Sequence, residues 1–261
     1  MSALRVALIG GLLSFRGLFN WLHPALFIPT LIVPPLFHVR FFAYLRRAGE
    51  LESDTFYVVG NSIQLAALPG LFAMSQAIAG ERRAQTLPHL LASPASRLAV
   101  FLGRGLPVMA IGIVVSLASF TFGALVLDVQ MSWSSLPLLV LAMAAAAFSC
   151  TALGVAHAAI ALRVRELAVF SNIVFAVLLV FCGVNVPLDD LPNWMSSVAQ
   201  GLPVTHAVEA GREAAAGATL ADVAGLLATE LAIGAAFLVL GLALLRYYEY
   251  VARRQATLEL T

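Results

Sequence analysis

Glu230 is the one acid set well inside a hydrophobic run, Leu227-Ala228-Thr229-Glu230-Leu231-Ala232-Ile233. A carboxyl group in such a run usually faces a cavity or a polar partner, and a place on a substrate pathway is one chemistry it could serve. His38, His157 and His206 also lie in or near apolar segments, where imidazoles can relay protons, but they fall in three separate segments with no ligand spacing. The chain has no His-Glu-x-x-His, no paired acids within one span to hold a metal, and no Gly-x-Ser-x-Gly elbow. An intramembrane enzyme therefore has nothing to work with, and neither a catalytic residue nor a metal ligand is assigned. Cys150 and Cys182, the only cysteines, both fall inside apolar runs and read as small buried hydrophobes. All fifteen basic residues are Arg. Without a Lys the chain cannot carry a P-loop, so no cofactor is expected in it and any energy from ATP must come through another polypeptide.

A second chemistry-bearing stretch is a polar island between two long apolar runs, from Gly80 to Arg97. Thr86 reads as the N-cap of a short helix, with Pro88 in its first turn, where a missing N–H costs little. Leu87, Leu90 and Leu91 form a small apolar face, Ser93-Pro94 ends the helix, and Ser96 can cap the next one. Glu81, Arg82 and Arg83 stand where the preceding span leaves the bilayer. The plain reading is a cytoplasmic loop with interfacial arginines. The functional reading is a docking helix, with leucine knobs for a groove and charges as a polar rim.

The elements that position these residues follow from composition. Of 261 residues, 61% are hydrophobic and 11% charged, with a mean hydropathy of +0.94. Several runs exceed the roughly 20 apolar residues that cross a bilayer. The fold class is an all-α polytopic membrane protein, with the lipid bilayer as a partner and no nucleic acid expected. Residues 1–23 read as an amphipathic helix in the interface plane: Arg5 and Arg16 share a face, Leu and Phe fill the rest, and Trp21 is a natural anchor. Val6–Phe15 is not a signal peptide, because Arg16 and Trp21 follow where a cleavage site belongs. Six transmembrane helices are expected at 24–44, 56–80, 105–127, 136–162, 167–186 and 222–246, with a cytoplasmic region at 81–104. Segment 187–221 is too polar to span and too apolar for a plain loop. Its prolines and Trp194, followed by a stretch from Leu202 to Arg212, suggest two short re-entrant external helices between spans five and six.

Arg placement orients the bundle. The termini, the island with Arg104 and the loop after the fourth span hold eleven of the fifteen Arg; Arg40, Arg46, Arg47 and Arg212 fall on the other side, among most of the acids. This bias places both termini and the island in the cytoplasm, with Arg46-Arg47 as the local dissent. The expected location is the plasma (inner) membrane, multi-pass.

Gly80-Glu81-Arg82-Arg83, Thr86-Leu87, Leu90-Leu91-Ala92-Ser93-Pro94 and Leu102-Gly103-Arg104 together resemble the ABC-2-type permease family. That family includes daunorubicin-resistance-type multidrug exporters and polysaccharide exporters. Gly183-Val184-Asn185-Val186-Pro187, Leu191-Pro192-Asn193-Trp194 and Pro203-Val204-Thr205-His206 through Arg212 resemble its final external region. The resemblance implies the membrane subunit of an ATP-driven exporter of a drug-like, lipid-like or glycan substrate. It implies a dimer, homo- or heteromeric, of two permease copies. A separate ABC-type ATP-binding subunit would carry ATP and Mg. Glu81, Arg82, Arg83, Thr86, Leu87, Leu90, Leu91 and Pro94 would form the coupling helix on that subunit, and residues 1–23 the connecting helix beside it. Pro187, Leu191, Pro192, Trp194, Pro203, His206 and Arg212 would belong to the outer gate. Where the family commonly has an acid after Thr-Leu, this chain has Pro88, so that contact is lost or moved to Glu81. The alternative is a self-sufficient secondary transporter or channel, which would need several intramembrane charges or paired broken helices; Glu230 alone is thin support.

Overall fold

The computed structural model describes residues 37, 41, 52–83, 97–129, 131–161 and 167–255. Seven α-helices lie in the last four stretches: α1 (Asp54–Arg83), α2 (Arg97–Leu127), α3 (Leu136–Ala161), α4 (Leu167–Phe181), α5 (Asn193–Ala199), α6 (Thr205–Ala215) and α7 (Leu220–Gln255). No strand occurs among the described residues. Helix starts are set by short polar residues. Ser53 receives the Phe56 N–H on its carbonyl at 3.0 Å and on its hydroxyl at 3.3 Å, opening α1. Asp222 Oδ2 accepts both the N–H and the hydroxyl of Thr219 at 2.7 Å, opening α7 with a capping arrangement.

Four of these helices are long and apolar enough to cross a membrane, over Asp54–Met74, Gly103–Leu127, Trp133–Ile160 and Leu220–Tyr248. They correspond to the expected second, third, fourth and sixth spans. The expected fifth span differs at its end: the helix stops at Phe181, before Val186. Residues 182–186 leave the helix as bends. The first span, 24–44, and the amphipathic segment 1–23 lie outside the described residues apart from Phe37 and Phe41, both helical.

α3 is the centre, packed against α1, α2, α6 and α7. Ala142, Met143, Ala146, Ala147 and Cys150 are fully buried along it, and the small residues let neighbours approach closely. Most of Asp54–Met74 in α1 is buried as well, and the Ser116 hydroxyl donates to the Ser62 carbonyl at 2.6 Å to join α2 to α1. α2 and α7 are the flanks. Leu106, Val114 and Leu125 on one, and Val239 and Leu240 on the other, face outward, as apolar side chains in contact with lipid can. The expected pair of short helices between spans five and six is present as α5 and α6. α6 is sunk between α1, α3 and α7, with Ala207, Val208, Ala210 and Ala214 at most 1% exposed.

Candidate functional site

The polar chemistry of the bundle gathers at the two ends of α6. Its N-cap position is Val204, whose side chain cannot cap and whose φ of 83° is unusual for a β-branched residue. The cap comes instead from α7. Glu230, fully buried, accepts the Val204 N–H at 2.7 Å on Oε1 and the Ala207 N–H at 3.3 Å on Oε2. These are the two backbone donors, at N-cap and N3, that a capping box satisfies with two side chains. The Ser149 hydroxyl of α3 is also hydrogen-bonded to Oε1. One carboxyl group thus joins α3, α6 and α7.

The turn before α6 is tied to what precedes it. The Thr205 hydroxyl donates to the Ala199 carbonyl at 2.8 Å, and His206 Nε2–H donates to the Gln200 carbonyl at 3.1 Å, so carbonyls at the end of α5 are satisfied. The Pro203 carbonyl receives the Cys182 thiol at 3.3 Å. His206 is therefore a buried structural link here, beside Glu230 and Pro203.

At the other end, Arg212 in the last turn of α6 holds the broken end of α4. Its Nη1 donates to the Gly183 carbonyl at 2.8 Å, and Nη2 donates to the Val184 carbonyl at 2.9 Å and to the Phe56 carbonyl at 3.4 Å. The guanidinium carbon sits 3.3 Å over the Phe56 ring centroid, a cation–π contact. Burial pulls the pKa of Arg212 down to about 10, opposed by Glu52 and Glu209, so it remains a cation at neutral pH. Two glycines make the geometry feasible. Gly183 has φ +69°, which lets the chain turn out of α4. A Cβ on Gly60 of α1 would lie 2.7 Å from Arg212 Nη2 and 2.7 Å from the Val184 carbonyl. Asn61 adds a further tie between α1 and the same bend, its Nδ2 donating to Asn185 Oδ1 at 3.0 Å and to the Tyr57 carbonyl at 2.9 Å.

Pro203, His206, Arg212 and Glu230 thus converge around one helix. Pro187 and Pro192 serve the loop between α4 and α5 differently. The Pro187 carbonyl closes a 3₁₀ turn at Leu188–Asp190 by accepting the Asp190 N–H at 3.2 Å. Leu191 follows that turn, and Pro192 opens α5, its carbonyl accepting the Met195 N–H at 2.8 Å. Trp194 is 63% exposed and meets Phe181 edge-on at 5.8 Å. Glu81, Arg82 and Arg83 are the last three residues of α1; their side chains lie outside the described residues, as do Thr86, Leu87, Leu90, Leu91 and Pro94. Ser149, Asn61, Asn185, Gly60 and Phe56 were not singled out from sequence. Asn61, with Ser62 and Gln64 in an otherwise apolar run, was the available signal.

Four long apolar helices, three of them packed around the fourth, α3, define a membrane protein that is all-helical among the described residues. The family model described as ABC-2 type transporter matches residues 16–215, and the chain belongs to that family. No curated protein matches the chain. Membership makes the chain a membrane permease of the ABC type, a transport subunit not itself catalytic, and it implies an ATP-binding-cassette partner. The matched region stops at the end of α6; α7 and Glu230 lie beyond it.

Proposed function

We propose that this chain is the membrane-spanning permease subunit of an ATP-binding-cassette exporter, moving a drug-like, lipid-like or glycan substrate out of the cell. A separate subunit hydrolyses ATP, and two permease copies form the pathway in the plasma membrane with both termini cytoplasmic. Residues 81–104 are the coupling region on the ATPase, and α5 with α6 forms the external gate. The daunorubicin-type motifs favour a drug-like amphiphile over a long glycan. The observation that carries the reading is the family match over residues 16–215. An acid serving an ion-coupled secondary transporter would need freedom to exchange its ion. Glu230 is instead engaged by three donors, which supports the permease reading.

The test is reconstitution with an ABC-type ATP-binding subunit from the same genome, the family's implied partner. Proteoliposomes holding both subunits should move an anthracycline drug only with ATP present. The two subunits should co-purify, and changing Leu87, Leu90 and Leu91 together to Asp should abolish co-purification. A complex that survives those changes intact overturns the docking role. Transport driven by a proton or sodium gradient without the ATPase overturns the class.

A further inference from the structure

We propose that Glu230 is the positioning residue through which α7 holds and carries α6. Its carboxylate acts as the N-terminal cap of a helix to which it does not belong. The claim that this matters for transport rests on reading α5 and α6 as the external gate; the holding itself does not.

The geometry points to a carboxylate rather than to any polar group of similar size. Oε1 receives the Val204 N–H at 2.7 Å and the Ser149 hydroxyl, and Oε2 receives the Ala207 N–H at 3.3 Å. The two backbone partners are donors to separate oxygens, and a carboxyl group presents an acceptor at each; the Ser149 hydroxyl also reaches the Ala146 carbonyl at 3.1 Å. An amide in its place offers one acceptor oxygen and turns an NH2 toward a backbone N–H, replacing one attraction with a donor facing a donor. Val204 has no side chain able to cap, and α6 has no side-chain cap of its own. Without Glu230 the first turn of α6 is left with buried, unsatisfied donors, since Val204, Thr205, His206 and Ala207 are all buried away from water. The fixed end of this latch is large: α7 packs along α3 as well as on α6. A displacement of α7 therefore either breaks the cap in an apolar interior or takes the start of α6 with it, and the second course keeps both backbone donors satisfied.

Hydrogen exchange on the full chain in lipid nanodiscs tests the holding. Glu230→Gln should speed exchange at the Val204 and Ala207 amides about tenfold, while peptides from α1 and α3 exchange as in wild type. Ser149→Ala leaves both amide bonds in place and should change the same peptide less than about threefold. Unchanged exchange at 204–207 in Glu230→Gln overturns the proposal. So does equal acceleration throughout α1, α3 and α7, which would make Glu230 a general core residue. Glu230→Asp, one methylene shorter, should recover part of the protection; none recovered would show that the carboxylate itself is not what holds the turn. In proteoliposomes with the ATP-binding subunit, Glu230→Gln should keep ATP hydrolysis within about twofold while anthracycline transport falls about tenfold. A parallel fall in both rates overturns the link to gate movement. If the wild-type complex does not move the anthracycline, the drug-like substrate reading fails, and the exchange result still decides whether Glu230 holds α6.

Discussion

Replacing Arg212 by Ala removes the guanidinium that caps the broken end of α4. Two carbonyls, Gly183 and Val184, lose donors at 2.8 and 2.9 Å; the longer contact to the Phe56 carbonyl at 3.4 Å adds little. A buried acceptor left unsatisfied costs about 1–3 kcal/mol, and the ring contact to Phe56 adds about 0.5–2 kcal/mol. Taken at mid-range, the gross loss is roughly 5 kcal/mol. Against it stands the relief of desolvation. Burial has already drawn the Arg212 pKa from 12.5 to about 10, which at 1.36 kcal/mol per unit corresponds to roughly 3 kcal/mol. The net expectation for Arg212→Ala is a loss of about 2 kcal/mol, or a melting temperature lower by about 4–8 °C. Arg212→Lys keeps the charge but reaches one carbonyl as a point donor, so it should fall between Ala and wild type. Thermal unfolding of the full chain in a fixed detergent, followed by tryptophan fluorescence, measures all three. Gly60→Ala attacks the same arrangement from α1, because the new Cβ would lie 2.7 Å from Nη2. Once the guanidinium is gone that clash disappears and only the one with the Val184 carbonyl remains, so the double variant should cost at least about 1 kcal/mol less than the two singles added. An Arg212→Ala protein melting within about 1 °C of wild type, or strict additivity with Gly60→Ala, would refute the reasoning.

Two further perturbations test neighbouring features. Asn61→Ala removes the bond to Asn185 and should cost about 1–2 kcal/mol. The double variant with Asn185→Ala should be no worse than either single by more than about 0.5 kcal/mol, as thermal unfolding would show. Trp133 is 86% exposed at the turn between α2 and α3, whereas both native cysteines are fully buried. Trp133→Cys should therefore make the chain reactive to a membrane-impermeant maleimide added to intact cells, with the wild-type chain unlabelled. Labelling confined to inverted vesicles would reverse the proposed orientation and put residues 81–104 outside.

Long hydrophobic runs made the membrane class and four spans legible, because each run alone exceeds the thickness it must cross. The end of α4 was not legible for a related reason. Residues 167–186 are apolar almost throughout, so composition carries the helix through Cys182 and Val184, whereas the helix stops at Phe181. What stops it is a glycine with positive φ and a guanidinium supplied from 28 residues further on in the chain, and hydropathy registers neither. Glu230 was visible as an acid needing a polar partner. Its partners, two backbone amides and a serine 81 positions earlier, carry no sequence signature. The same holds for Arg212, noticed as a member of the outer region but not as a cap for carbonyls. The leucine face of residues 87–91 was the sharpest motif in the sequence, and it lies outside the described residues.

Glu230 and Arg212 also have to be understood together. An α-helix carries a partial positive charge at its N-terminus and a partial negative charge at its C-terminus. α6 has a carboxylate bonded to its first turn and an arginine in its last, so each ion sits at the dipole end that favours it. Both ions bond mainly to backbone groups, and those groups belong to helix ends that lack partners of their own. Each ion therefore satisfies backbone that would otherwise be unpaired in an apolar interior. The arrangement also limits how α6 can move. Sliding along its axis would detach α7 at one end and the α4 bend, with α1, at the other, leaving donors and acceptors unpaired at both. Rotating as a body with α7 keeps the two backbone bonds to Glu230 and places the burden on Ser149 of α3 and on Arg212, where the 3.4 Å bond to Phe56 is the longest of the guanidinium's three. A gate built on this helix should therefore open by parting from α1 while keeping its cap on α7.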